Sequence, residues 1–158
     1  MPKAKKLMNY PLVALRGKVI FPDTVNSFDA GRLISLTAVS RASEQNLDLF
    51  VAMQKDAQKE EVAPDDVCRV GTVVKIKQIA KLPSNNLRIT VTGVYRAKAE
   101  EIYEEDGCLF ANVSELKAVH GDPVLEEAYF RTAQDVMRDI RSNEMRISRE
   151  SASALDTI

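Results

Sequence analysis

Val70–Ala97 reads VGTVVKIKQIAKLPSNNLRITVTGVYRA, and its alternation decides the fold. Val70, Thr72, Val74 and Ile76 fall on one face of an extended segment, with Lys75 and Lys77 on the other. After Pro83-Ser84-Asn85-Asn86 the pattern resumes, with Leu87, Ile89 and Val91 inward and Arg88, Thr90 and Thr92 outward. Proline fixes φ and asparagine tolerates the left-handed region, so this tetrad turns the chain back on itself. The spacing predicts a half-buried antiparallel hairpin with a polar outer face. A second hairpin is predicted from Ala97–Tyr103 and Cys108–Glu115, joined at Glu105-Asp106-Gly107. Its signal is Asp-Gly, a pair suited to the positive φ angles of a tight hairpin turn.

Upstream, Tyr10–Leu15 is short and mostly apolar, which predicts a strand buried on both faces. Gly17 permits a turn, and Val19–Phe21 runs into Pro22, which stops regular pairing. Thr24–Phe28 predicts another strand. Gly31–Gln45 carries Leu33, Leu36 and Val39 at helical spacing, widened by Ile34 and Ala38, and predicts a helix. Leu47, Leu49, Val51 and Met53 alternate as a strand, and the polar, acidic Gln54–Asp66 forms a surface loop.

Downstream the composition changes. Asp122 suits an N-cap and Pro123 the first helical position. Leu125, Tyr129, Ala133, Val136 and Ile140 then recur at spacings of a helix that ends near Ser142. A second helical segment begins near Ser148, with Ala154, Leu155 and Ile158 opening an apolar stripe. It stops without a C-terminal cap signal, so the expectation is a chain cut from a longer one. The organisation expected is a β-rich domain over residues 1–118 and the start of a helical extension over 119–158.

A chain of 158 residues can bury roughly two thirds of its unfolded surface, so it needs no disulfide or metal to fold. A hydrophobic fraction of 45% with 28% charged residues is ordinary for a globular protein. Net charge of −1 gives no general pull towards nucleic acid or anionic membrane. No apolar run reaches the roughly 18 residues of a membrane span. Met1–Lys6 is basic, but the apolar stretch after it is broken by Asn9 and Pro11, unlike a signal peptide. Cytoplasmic residence is expected, with Cys68 and Cys108 as reduced, buried thiols.

Little in the chain points to chemistry. No glycine spacing matches the phosphate-cradling G-x-x-x-x-G-K-S/T, and Gly17-Lys18 is followed by Val19, which has no hydroxyl for Mg²⁺. His120, the single histidine, falls in the linker, and no Cys-x-x-Cys accompanies it, so no zinc site is expected. Glu100, Glu101, Glu104, Glu105 and Asp106 surround an exposed hairpin tip rather than a shared pocket. No catalytic residue, metal or cofactor is therefore assigned to this chain. Lys75, Lys77, Lys81 and Arg88 make a basic face that could meet phosphates, but no aromatics interleave to stack bases. The candidate binding residues are instead the apolar ones beside turns: Phe21, Pro22, Phe28, Leu82 and Pro83. Converging, they would form an exposed patch of the kind that marks a partner surface, with Leu82 the foremost candidate for exposure. Arg16, the sole charge ending an apolar strand, is expected to pair with a carboxylate or carbonyls.

Several pieces resemble the amino-terminal domain of the ATP-dependent protease Lon. Pro11, Leu12, Leu15, Arg16, Val19, Phe21 and Pro22 fit its opening segment, and Phe50–Asp56 resembles a strand and loop that follow. Val70-Gly71-Thr72 and Gly93-Val94-Tyr95-Arg96-Ala97 resemble its later strands. The chain departs from the pattern at Asp23, where glycine is frequent, and at Ser84-Asn85-Asn86, where a glycine turn is common. The resemblance implies an α+β fold: a small twisted antiparallel β barrel, PUA-like, of about six strands with one packed helix, followed by a helical extension. It implies a non-catalytic role in recognising unfolded or tagged protein substrates and in assembling a hexamer. ATP, Mg²⁺ and a Ser-Lys peptidase would belong to the full-length protein. The rival readings are a PUA-like RNA-binding module and a pure oligomerisation module.

Overall fold

In the computed structural model, which describes residues 6–142, the two predicted hairpins share one strand. The elements in order are β1 (Met8–Leu15), β2 (Val25–Ala30), α1 (Leu33–Glu44), β3 (Leu49–Gln54), a 3-10 turn (Pro64–Asp66), β4 (Val67–Lys81), β5 (Leu87–Glu105), β6 (Cys108–Glu115) and α2 (Pro123–Ser142). β5 is 19 residues long and continues through Gly93–Ala97, joining the two predicted hairpins. One edge of β5 pairs with β4; the other pairs first with β2 (Leu87–Thr92) and then with β6 (Ala97–Glu105). Register shifts near Val94 and Glu100 mark bulges, which bend a strand enough to serve both neighbours.

The sheet order is β2-β5-β4-β3-β1-β6, and the β5–β6 pairing closes the last five into a ring. All pairings are antiparallel except β1 with β3, which run parallel from Leu12↔Phe50 to Leu15↔Met53. The barrel is thus mixed, because the connection between those strands carries α1 and returns the chain to the same end. β1 is buried from Tyr10 to Leu15, as its unbroken apolar run requires. Val13 and Leu15 join a core with Phe28, Val39, Val51 and Ile89, while Leu12 and Ala14 join a second with Phe50, Val73 and Leu109.

Helix α1 buries Ala38 and Val39 of the expected stripe, with Leu36 and Ile34 partly buried, but Ser35 and Ala42 complete its inner face while Leu33 is 79% exposed. The spacing 35-38-39-42 is still helical, and its small residues let the helix sit close to the strands. Val70, expected to point inward, is exposed, while Gly71 through Val74 are buried in succession. A β-carbon on Gly71 would lie 2.3 Å from the Val51 carbonyl oxygen, so the approach of β3 to β4 requires glycine there. Both predicted turns have the expected backbone: Asn85 stands at φ 61°, Asp106 at 51° and Gly107 at 70°. Cys108 is buried and Cys68 only half-buried, both as free thiols.

The chain divides into two compact units, Met1–Lys117 and Ala118–Ile158. In the second, Asp122 Oδ1 accepts from the Val124 N–H at 2.8 Å and caps α2. No described residue of α2 is buried; Leu125, Tyr129 and Val136 are 51%, 68% and 52% exposed. The segment expected near Ser148, with Ala154, Leu155 and Ile158, lies outside the described residues.

Candidate functional site: an apolar groove beside a fastened loop

Between β1 and β2 the chain makes a loop, residues 16–24, that is held to the barrel at several points. Ile20 is buried, and its carbonyl accepts from the Thr72 hydroxyl at 2.5 Å. Burying such a side chain contributes about 1.5–3 kcal/mol. Further along, the Asp23 N–H donates to the Gly93 carbonyl and the Gly93 N–H to the Thr24 carbonyl, each at 3.0 Å. The loop backbone lies so close to β5 that a β-carbon on Gly93 would stand 2.1 Å from the Phe21 oxygen. Asp23 makes the turn at φ 59°, a position suited to the glycine that the resemblance led one to expect. At its start, Arg16 donates to Glu60 Oε2 at 3.1 Å and to the Lys59 carbonyl at 3.4 Å, so it meets both expected kinds of partner.

So fastened, the loop holds apolar side chains outward. Phe21 is 59% exposed and Val19 46%. Val19, Met53 and Val70 line a cavity of about 200 Å³ whose wall also carries Cys68 and Arg96. The Arg96 guanidinium lies 5.6 Å from the Phe21 ring centroid, a cation–π distance. Its Nη1 is buried and has no hydrogen-bond partner among the described residues. The groove therefore offers largely apolar walls and the unpartnered Arg96 donor, with Lys18, committed to the Ser27 carbonyl, also in its lining. This combination takes an apolar side chain next to a carbonyl or carboxylate.

The sequence candidates separate in the structure. Phe21 does not line the groove itself but lies against Arg96, which does, and Pro22 is half-buried. Phe28 is a correction: it points inward from β2 opposite Ile89, is only 7% exposed, and belongs to the core. Leu82, the foremost candidate for exposure, is half-buried, its N–H donating to the Asn86 carbonyl at 2.8 Å. Pro83 is exposed beside it. That hairpin tip lies about 20 Å of extended strand from Gly93 and Phe21, so the candidates do not converge. The sequence reading missed Met53, Val70 and Arg96 as groove residues. Met53 sits at a register shift between Ala52 and Gln54, which breaks the alternation that would have oriented it. On the basic face, Arg88 is committed to Asp29 by bonds of 2.8 and 2.9 Å. Among the described residues no group of three or more His, Cys, Asp or Glu is placed to hold a metal, and no helix is long and apolar enough to cross a membrane.

A closed mixed barrel with one packed helix, bearing a small apolar groove beside a fastened loop and followed in the chain by an amphipathic helix, defines a domain of the α+β class. Residues 9–158 match the family described as "ATP-dependent protease La (LON) substrate-binding domain", and the chain belongs to that family. It is 44% identical over 68 residues to the Lon protease of Clostridium acetobutylicum, covering 43% of this chain and 9% of that one. Lon protease 1 of Thermus thermophilus is 38% identical over 71 residues, with 45% and 9% covered. The chain thus spans less than a tenth of these relatives, each matched over 9% of its length. Among solved structures, the N-terminal domain of Mycobacterium avium complex Lon protease superposes with a TM-score of 0.66 at 17% identity, covering 95% of this chain and 74% of that one. The Lon N-terminal domain protein from Xanthomonas campestris gives 0.61 at 18% identity, over 82% and 73%. These two establish the likeness of fold.

Proposed function

We propose that the groove lined by Val19, Met53, Val70 and Arg96, together with the exposed Phe21 that lies against Arg96, receives an extended apolar segment of an unfolded or tagged polypeptide, as the recognition domain of a longer ATP-dependent protease. The observation that carries this reading is the loop itself. A phenylalanine 59% exposed is held there by a backbone fastened to β4 and β5, beside an arginine with an unused donor. An exposed apolar side chain on a rigid support binds without a large ordering cost. ATP and Mg²⁺ would act in other segments of such a protein.

The test is fluorescence anisotropy of this chain with a labelled unfolded polypeptide and with a labelled single-stranded RNA, across a salt series. Polypeptide binding that tolerates salt and weakens about tenfold in Phe21→Asp and Met53→Asp, with thermal stability unchanged, is the expected result. RNA binding that collapses with salt would overturn it, because phosphate contacts release counterions.

Self-association is a second reading, favoured by the exposed Leu125, Tyr129 and Val136 of α2. Sedimentation of the chain and of a Leu125→Asp, Tyr129→Asp double variant tests it. A concentration-dependent oligomer lost in the variant is the expected signature.

A further inference from the structure

A larger cavity, of about 790 Å³, opens between the end of β1, strand β2 and the first turn of α1. Its wall carries four cations, Arg16, Lys18, Arg32 and Arg88, against two carboxylates, Asp29 and Glu60. Each carboxylate is committed: Arg88 donates twice to Asp29, and Arg16 donates to Glu60. Lys18 and Arg32 differ. The Lys18 ammonium donates to the Ser27 carbonyl, and Arg32 donates to Gln54 Oε1 and the Ala14 carbonyl, both at 2.8 Å. All three acceptors are neutral, so two positive charges stand without a counter-charge of their own. Burial, and then the neighbouring Arg16, lower the Arg32 pKa, with Glu60 acting against them.

The helix adds to this field. α1 begins at Leu33 with no side-chain cap and no acidic residue in its first turn; the Ser35 and Leu36 N–H groups donate to the Arg32 carbonyl, and the positive dipole end meets no side-chain anion in that turn. Ser35, in that turn and only 4% exposed, lines the same cavity. Its hydroxyl has no hydrogen-bond partner among the described residues. The hydroxyl lines the open cavity rather than being sealed in the core, and it can donate to a ligand there.

We propose that this cavity binds a dianionic phosphoryl group, with Arg32 and the Ser35 hydroxyl as its donors, Lys18 as a second balancing charge and the positive end of α1 adding to the field. A dianion matches the two uncompensated cations, whereas a carboxylate would neutralise one and leave the other. Inorganic phosphate and a phosphorylated side chain share this chemistry.

The experiment is an NMR titration of the whole 158-residue chain, ¹⁵N-labelled, with inorganic phosphate at constant ionic strength against chloride. Saturable shifts at the Leu33, Ile34 and Ser35 amides are expected, with affinity falling about tenfold in Ser35→Ala and in Arg32→Lys. Ser35→Ala removes an unbonded hydroxyl and leaves the fold intact, so it carries the test even where Arg32→Lys disturbs the Gln54 contact. Shifts spread over exposed lysines such as Lys75 and Lys77, or affinity unchanged in both variants, would overturn the proposal. Competition by a phosphoserine peptide but not by its unphosphorylated form assigns the group to a polypeptide. Saturable phosphate binding without such competition assigns it to the free anion.

Discussion

Gly93 shows how one missing β-carbon positions a surface. Alanine there would meet the Phe21 oxygen at 2.1 Å and the Pro22 Cα at 3.0 Å, so either the strand or the loop must move. Gly93→Ala is expected to cost about 1–3 kcal/mol, read by urea denaturation, and to weaken polypeptide binding by displacing Phe21. Tyr95 gives a prediction in pH. Its hydroxyl lies 3.0 Å from that of Tyr10, and burial, followed by that hydrogen bond, pushes its phenol well above the ordinary tyrosine value. The unfolded chain ionises Tyr95 near pH 10 while the folded chain keeps the proton. The Tyr95 contribution to stability is therefore fully present below about pH 10 and is lost as pH rises further. Denaturant melts between pH 8 and pH 11.5 should show a steeper alkaline loss in the natural chain than in Tyr95→Phe; parallel profiles would contradict this.

Among the elements, α2 depends most visibly on one residue. Asp122 accepts from Val124 and Leu125, and Glu126 reaches back to the Gly121 N–H at 2.6 Å. Asp122→Ala should reduce helicity by circular dichroism and cost the helix about 1 kcal/mol. Elements signalled by local chemistry were legible in the sequence: the Asn85 and Asp106-Gly107 turns, the doubly buried β1 and the Asp122 cap. Those set by tertiary packing were not. Nothing local in α1 favours Ser35 and Ala42 over Leu33 as its inner face; the nearness of β1 decides it. Bulges near Val94 and Glu100 interrupt the two-residue period, which hid the continuity of β5. The groove was legible in part. Phe21 stood out as an apolar residue beside a proline, but Met53 and Val70 face it only because β3 and β4 change register there.

At the scale of the molecule, the segments that carry the family resemblance meet in space. The loop with Val19 and Phe21 is held by Thr72, it packs on Gly93, and Phe21 lies against Arg96. Barrel closure has its own cost. β1 pairs with β6 through Met8↔Val113 to Leu12↔Leu109, contacts about as distant in sequence as this domain allows. Topologies rich in such pairings fold in milliseconds to seconds rather than microseconds, and stopped-flow refolding should find this chain in the slower range. The same pairing bears on synthesis. The first strand of the barrel to leave the ribosome must wait for its last, so the emerging barrel exposes one open sheet border until β6 is clear of the exit tunnel. A domain whose relatives belong to a protein-degrading enzyme thus spends its own birth as an unfinished polypeptide, with β3 the earliest strand available to shield β1.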